Sequence, residues 1–301
     1  KAGPVSSRAR RNRDGAWALL FLAPQLVGLV AFVLGPLIGA LLLSLTNWNG
    51  IGAWHFVGLR NFRTAFTDPT FWSSLKNTAW FTLLLVPSQL VCALLVALAL
   101  NNTRGSAIYR VLFFMPVVTS SAAVSVVWLW LLNGQFGPLN SLLHSWFGLN
   151  PPNWLGDPHL IIPALVMVSV WQGLGFTIVV FQAGLQGIPD VYLDAARVDG
   201  AGAIRRFRAI TLPLLTPTIF FLTIISLIGA FQVFDIVYLM TPDNSAIGNA
   251  AHTVVYHIYD LAFVQYQYGA GAAVAVILFI LLLILTLTQL LLQRRWVHYE
   301  E

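Results

Sequence analysis

The sequence predicts an all-α integral membrane protein with six membrane-spanning helices, and three observations carry that expectation. First, 58% of the 301 residues are hydrophobic and only 9% are charged, with a mean hydropathy of +0.77, whereas a soluble domain carries about a quarter charged residues. Second, the apolar residues gather into six long runs, and a helix needs about 20 such residues to cross a bilayer. Third, when the runs are taken as alternating crossings, thirteen of the 16 Lys and Arg fall on one side. That is the bias that holds positive flanks in the cytoplasm. The formal net charge of +5 is therefore a topology signal, and nucleic acid is set aside as a partner. Cys92 is the sole cysteine; it excludes an internal disulfide and, inside an apolar run, reads as a packing residue.

In order along the chain, residues 1–15 are a basic segment with Arg8, Arg10, Arg11 and Arg13, expected in the cytoplasm. The transmembrane domain occupies 16–293, and 294–301, headed by Arg294 and Arg295, form a cytoplasmic tail. The first run, 16–45, lacks the short core and small-residue cleavage site of a signal peptide and is read as a retained span. At about 1.5 Å per residue it exceeds a hydrocarbon core of about 30 Å, so it must tilt, bend near Pro24 or Pro36, or protrude. Beyond it, Asp68 and Pro69 ahead of Phe71 and Trp72 mark a helix start at the outer interface. Spans follow at 78–100 and 109–132, with Arg104 on the inner side between them and Trp128 and Trp130 at the outer end. The external loop 133–159 contains no Lys or Arg, and 138–147 within it suits a short amphipathic helix. A fourth span, 160–181, leads to a polar segment at 187–213. The fifth, 214–239, is entered through Pro213 and Pro217; the loop 240–269 again lacks Lys and Arg, and 270–292 is the sixth. Six crossings put both termini in the cytoplasm.

The polar segment reads IPDVYLDAARVDGAGAIRRFRAITLP from Ile188 to Pro213. Asp190 is placed to cap a first short helix, and Asp194 adds negative charge near its positive end. Gly200 supplies the stop, in a left-handed turn that suits a residue without Cβ. Ala201 to Ala209 then starts a second helix carrying Arg205, Arg206 and Arg208. Ala195 and Ala196 leave one face bare, so another protein's backbone can approach it. The competing reading is a basic surface helix resting on lipid headgroups.

Catalytic signatures are missing. No GxxxxGK[ST] exists, and Lys1 and Lys76, the only lysines, follow no glycine-rich turn, so any ATP must be bound by another subunit. A gradient-driven carrier would show mid-membrane carboxylates or histidines; Asp235 alone qualifies. His252 and His257 lack an HExxH context, and no GxSxG elbow is present. No catalytic residue and no metal site is expected. Polar and small residues do cluster within spans: Ser169, Trp171, Gln172, Gly173 and Phe176 on the fourth, Gly229, Gln232, Asp235 and Tyr238 on the fifth. The spacing of Gln232, Asp235 and Tyr238 places them on one helix face. Amide, carboxylate and aromatic ring together suit sugar hydroxyls and pyranose faces; the alternative is that such residues glue helices together.

Asp194, Ala195, Ala196 and Gly200, followed by Ile210, Thr211, Leu212 and Pro213, resemble the EAA loop of the membrane subunits of binding-protein-dependent ABC importers, with Asp194 where the family usually has Glu. The resemblance implies a type I importer permease fold. It also implies a coupling helix, carried by Asp194, Ala195, Ala196, Gly200, Arg205, Ile210, Leu212 and Pro213, seated in a cleft of a separate ATPase. GLRNFRTAFTDPTFWSSLKNTAWFT from Gly58, YRVLFFMP from Tyr109, FQVFDIVYLMT from Phe231 and VVYHIYDLAF from Val254 resemble the carbohydrate-uptake branch, on the side of the maltose-importer subunit that carries its membrane sugar site. The sugar contacts so implied fall near Ser169, Gly173, Phe176, Gly229 and Gln232. After Thr241 the branch commonly has GGGP, and Pro242, Asp243, Asn244 and Ser245 stand here instead. The implied company is a second, non-identical permease, an ATPase dimer holding ATP and Mg2+, and an extracytoplasmic substrate-binding protein, at a bacterial cytoplasmic membrane. This chain would bind no cofactor and would work by alternating access. Import of glycerol-phosphate or a glycerophosphodiester by the same architecture, and an ion-coupled secondary transporter, are the alternatives. A phosphate site calls for buried Arg or Lys, and the fourth to sixth spans contain neither.

Overall fold

The computed structural model describes residues 20–101, 103, 106–241 and 245–296. The basic segment 1–15, Arg104, residues 242–244 and the end of the tail lie outside the described residues. In chain order the helices are α1 (Leu20–Leu43), α2 (Arg60–Thr67), α3 (Pro69–Asn101), α4 (Ser106–Val118), α5 (Ser121–Leu131), α6 (Pro138–Phe147) and α7 (Ile161–Gln186). They continue with α8 (Asp190–Val198), α9 (Ala203–Leu214), α10 (Thr216–Phe231), α11 (Asp235–Met240), α12 (Ser245–Ala251), α13 (Val254–Val264) and α14 (Tyr268–Trp296). No strand occurs among the described residues, only an isolated bridge between Thr46 and Phe56. Four helices, α1, α3, α7 and α14, are long and apolar enough to cross a bilayer, and two bent pairs, α4 with α5 and α9 with α10, bring the number to six if each pair is one crossing.

The chain divides into two compact units. The first comprises 1–65 and 261–276. Its α1 buries none of its residues from Val30 to Leu43 and widens into a π turn over Val30–Leu34, directly ahead of Pro36. A proline in a helix interior removes one amide donor and crowds the preceding turn, and the wider turn relieves that crowding. The Asn61 amide donates to the carbonyls of Ser44 (2.8 Å) and Thr46 (2.7 Å), closing the loop that follows α1.

The second unit, 66–260 and 277–301, is organised by α3 lying along α7. Ala93 and Ala97, both fully buried, let α3 approach Ile178 and Phe181. A second cluster gathers Phe81 and Leu85 of α3 with Leu165 and Val168 of α7 and Val237 and Met240 of α11. Helix α3 begins at Pro69, with Asp68 Oδ1 accepting from the Thr70 amide at 2.8 Å. It runs unbroken through 78, where a separate span was expected to start. The hydroxyls of Ser74, Thr78 and Thr82 bond carbonyls of the preceding turn, so these residues need no break to satisfy their polarity. Cys92, expected to pack, is exposed, because it shares an exposed stripe of α3 with Val91 and Leu95.

Two of the expected spans are interrupted. Helices α4 and α5 meet at 97°, because Ser120, with φ −56° and ψ 131°, is extended. Helices α9 and α10 meet at 63°. Pro217 has no N–H to offer the Pro213 carbonyl, and the Thr216 hydroxyl donates to that oxygen instead at 2.6 Å. The fifth expected span breaks again after Phe231: Gln232 caps α10, Phe234 has φ −135° and ψ −62°, and α11 starts at Asp235. Gln232, Asp235 and Tyr238 therefore do not share one continuous helix face.

Candidate functional site

The elbow between α7 and α10 is built from its backbone outward. Pro189, not Asp190, is the N-cap residue of α8, and no side chain caps it. Asp190 occupies the first turn, where its charge still complements the helix dipole. At the other end the Ala201 amide bonds the Ala196 carbonyl (2.9 Å) and the Gly200 amide bonds Arg197 (3.0 Å), a Schellman closure. Gly200 has φ +71°. The second helix begins at Ala203, two residues later than expected, because Ala201 completes this closure and Gly202 is the N-cap. Asp194 pairs with Arg197, and Arg206 folds back to donate to the Ala201 carbonyl at 3.1 Å, while Arg205 is exposed. Ala195 is exposed and Ala196 half-buried, and the same elbow carries Tyr192, Val198 and Ile204 at 47%, 89% and 72% exposure. Ile210, Leu212 and Pro213 are half-buried. Exposed apolar side chains on the same elbow as two bare alanines suit burial by another protein.

The predicted substrate-path residues separate into two neighbouring cavities. Ser169, Gln172 and Gly173 of α7 and Gly229 of α10 line one of about 200 Å³, with Phe81 and Ile236 among its walls. Gln232 and Asp235 line the other, about 220 Å³, with Ser121 and Phe234. The two share Val233 and Ile236, and Gln172 Nε2 donates to Ser121 Oγ at 3.3 Å, linking their walls. Phe176 and Tyr238, each 41% exposed, line neither. Ser169 spends its hydroxyl on the Leu165 carbonyl (2.8 Å). Gly173 is set by packing, since a Cβ there would stand 2.8 Å from Gln89 Nε2, which donates to Thr177 Oγ1 at 2.8 Å.

The break at 232–234 is supported from the segment between α12 and α13. Thr253 Oγ1 donates to the Val233 carbonyl at 3.1 Å, supplying a partner to a backbone group that hydrocarbon would leave unsatisfied. Thr253 is held in turn by α3: Asn77 Nδ2 donates to the carbonyls of Asn249 (2.9 Å) and His252 (3.1 Å), and Thr78 Oγ1 accepts from the Val254 amide (2.9 Å). His252 stacks on Tyr256 at 3.7 Å. His257 is buried, its Nε2 3.5 Å from Asp68 Oδ2. Burial pushes both histidines below the ordinary value, against the raising effect of Asp260 on His252 and of Asp68 and Asp260 on His257. Ser121, Phe234, Asn77 and Thr253 were not singled out by sequence reasoning. A Ser120–Ser121 pair in mid-span was the one available signal, as serine pairs mark kinks.

The profile of the family described as "Binding-protein-dependent transport system inner membrane component" matches residues 89–298. The chain belongs to that family. The permease is 36% identical over 295 residues to the "Probable ABC transporter permease protein YesP" of Bacillus subtilis (strain 168), covering 96% of this chain and 94% of the relative. It is 34% identical to the "Lactose transport system permease protein LacF" of Rhizobium radiobacter, covering 86% of each. Its fold matches a chain in the crystal structure of a bacterial alginate ABC transporter, in complex with an alginate pentasaccharide-bound periplasmic protein, with a TM-score of 0.84 at 24% identity, over 96% of this chain and 98% of that one.

Proposed function

We propose that this permease forms part of the translocation path of an ATP-driven sugar importer and is driven through its α8–α9 elbow by a separate ATPase dimer. The observation that carries the reading is the pair of neighbouring cavities: among apolar walls they carry the amides of Gln172 and Gln232, the hydroxyls of Ser169 and Ser121 and the Asp235 carboxylate, and no Lys or Arg is among the described residues that line them. That is the lining a neutral polyol requires, whereas a phosphate calls for a cation. Several relatives are named as sugar systems, one of them for lactose, and one for sn-glycerol 3-phosphate; between these the cation-free lining favours the sugar. A second permease would complete the path and an extracytoplasmic binding protein would deliver the sugar. ATP and Mg2+ would sit on the ATPases and no cofactor on this chain. The coupling contacts would be Asp194, Ala195, Ala196, Gly200, Arg205, Ile210, Leu212 and Pro213, with both termini in the cytoplasm of a bacterial cell.

The test is reconstitution in proteoliposomes with the three partner proteins, ATP and no ion gradient, offering maltose, maltotriose, lactose, arabinotriose and sn-glycerol 3-phosphate. ATP-dependent uptake of a sugar is expected. Gradient-driven uptake by this chain alone would make it a secondary carrier, and uptake of the phosphate ester alone would overturn the sugar assignment. Within the same assay, Gln232→Leu removes an amide from the cavity wall. It should lower sugar-stimulated transport about tenfold, the worth of one or two good hydrogen bonds, with the complex still assembled. Failure to assemble would instead make Gln232 a helix-packing residue.

A further inference from the structure

Helix α11 divides its residues sharply. Ile236, Val237 and Met240 are buried, while Asp235 and Tyr238 are exposed. Asp235 and Tyr238 are three residues apart on one short helix and so look the same way. A carboxylate does not face hydrocarbon without a partner, so the side of α11 that carries Asp235 faces away from lipid, and Tyr238 stands on that side. Tyr238 is not alone there. Phe234 stacks on it with centroids 5.2 Å apart and planes at 22°, Tyr259 of α13 lies 5.1 Å from both rings, and the hydroxyls of Tyr238 and Tyr259 are 3.5 Å apart. Phe234 is also a wall of the cavity that holds Gln232 and Asp235.

We infer that Phe234, Tyr238 and Tyr259 form an aromatic ramp at the mouth of that cavity, a second subsite on which a pyranose ring stacks while its neighbour engages Gln232 and Asp235, so that the cargo is an oligosaccharide and not a single sugar. The inference rests on the sugar reading above. Pyranose rings present flat C–H faces to aromatic rings, and the ramp offers such rings. An interfacial aromatic belt, the other use of such residues, faces lipid at headgroup depth and would not be joined to a carboxylate-lined cavity.

The experiment measures uptake by the reconstituted complex at saturating binding protein, using glucose, maltose and maltotriose, galactose and lactose, and arabinose and arabinotriose. The variants are Tyr238→Ala, Tyr238→Leu, Tyr259→Leu and Tyr238→Phe. Because the binding protein is unchanged, the ratio of variant to wild type reports the permease. For the sugar family that the wild type carries, the Ala and Leu variants should lower di- and trisaccharide uptake about tenfold, the effect of losing one stacked ring. They should leave any monosaccharide uptake unchanged, and Tyr238→Phe, which keeps the stack, should stay within about twofold of wild type. Leu preserves bulk, so an assembled Leu variant separates stacking from folding. Equal loss for all chain lengths, no loss in the assembled Leu variants, or a wild type that carries only monosaccharide overturns the ramp. A wild type that carries none of these sugars defeats the underlying sugar reading instead.

Discussion

Gly200→Val is expected to abolish ATP-driven uptake and substrate-stimulated hydrolysis while the subunit remains in the membrane. Gly200 has φ +71°, and a Cβ built on it meets nothing within 4 Å. Space is therefore not the obstacle; conformation is. An L-residue held in the left-handed region costs about 1–2 kcal/mol, and a β-branched residue is a genuine outlier there. The cheapest escape is to open the Schellman closure, which releases the bonds from Ala201 to Ala196 and from Gly200 to Arg197 and lets α8 swing relative to α9. Gly200→Asn is the control, because Asn visits the same region readily, and it should keep most of the activity. Ala196→Trp should mimic Gly200→Val by bulk alone, with the turn intact. The readings are hydrolysis, co-purification of the ATPase and the amount of permease in membranes. Loss of the permease from membranes would mark a folding residue, and normal hydrolysis in both Gly200→Val and Ala196→Trp would remove the elbow as the coupling site.

Gly175→Ala should cost the subunit its assembly, a larger effect than its single methyl group suggests. In an exposed helix, Gly to Ala stabilises by about 1 kcal/mol. Here Gly175 is buried, and a Cβ would overlap the Phe113 carbonyl oxygen and crowd the Phe114 backbone. Those atoms belong to α4 and are not flexible side-chain ends. Overpacking of this kind costs about 1–3 kcal/mol, which outweighs the gain in propensity, so the sign reverses. The measurement is the thermal midpoint and yield of the detergent-solubilised complex; an unchanged or raised midpoint would show that α4 can retreat. Gly187→Ala is a useful contrast, since its Cβ would approach only the Gly184 and Ala183 carbonyls, at 3.4 and 3.7 Å.

Apolar run length was enough to locate helices because it is a local property. Residues 138–147, expected as a short helix, coincide with α6, where Pro138 opens the helix and Gly148, at φ +62°, closes it. The turn at Gly200 was legible for the same reason. What the sequence hid depends on partners far along the chain. The break between Gln232 and Asp235 contains no proline or glycine, and its support, the Thr253 hydroxyl, lies 20 residues on. A helical periodicity argument therefore drew one face through Gln232, Asp235 and Tyr238 where the backbone turns aside. Both Gln232 and Asp235 still reach a single cavity, but through the break and not along a helix. Ser121 and Phe234 were missed because their relevance arises only when α5 and α11 are brought together.

The bonds that pin the segment between α12 and α13 also impose an order on how the protein can be made. Asn77 and the His252 carbonyl it holds are 175 residues apart, and at about 5–20 residues per second a ribosome needs roughly 10–35 s to cover that distance. Throughout that interval Asn77 and Thr78 lack these partners, and once Val233 has emerged its carbonyl waits for Thr253. The permease is thus locally incomplete until Thr253 and Val254 have been synthesised. A nascent chain stalled after Val233 has emerged from the ribosome but before Thr253 has would carry an open break exposed to whichever chaperone or protease patrols the bilayer, and one stalled after both have emerged would not.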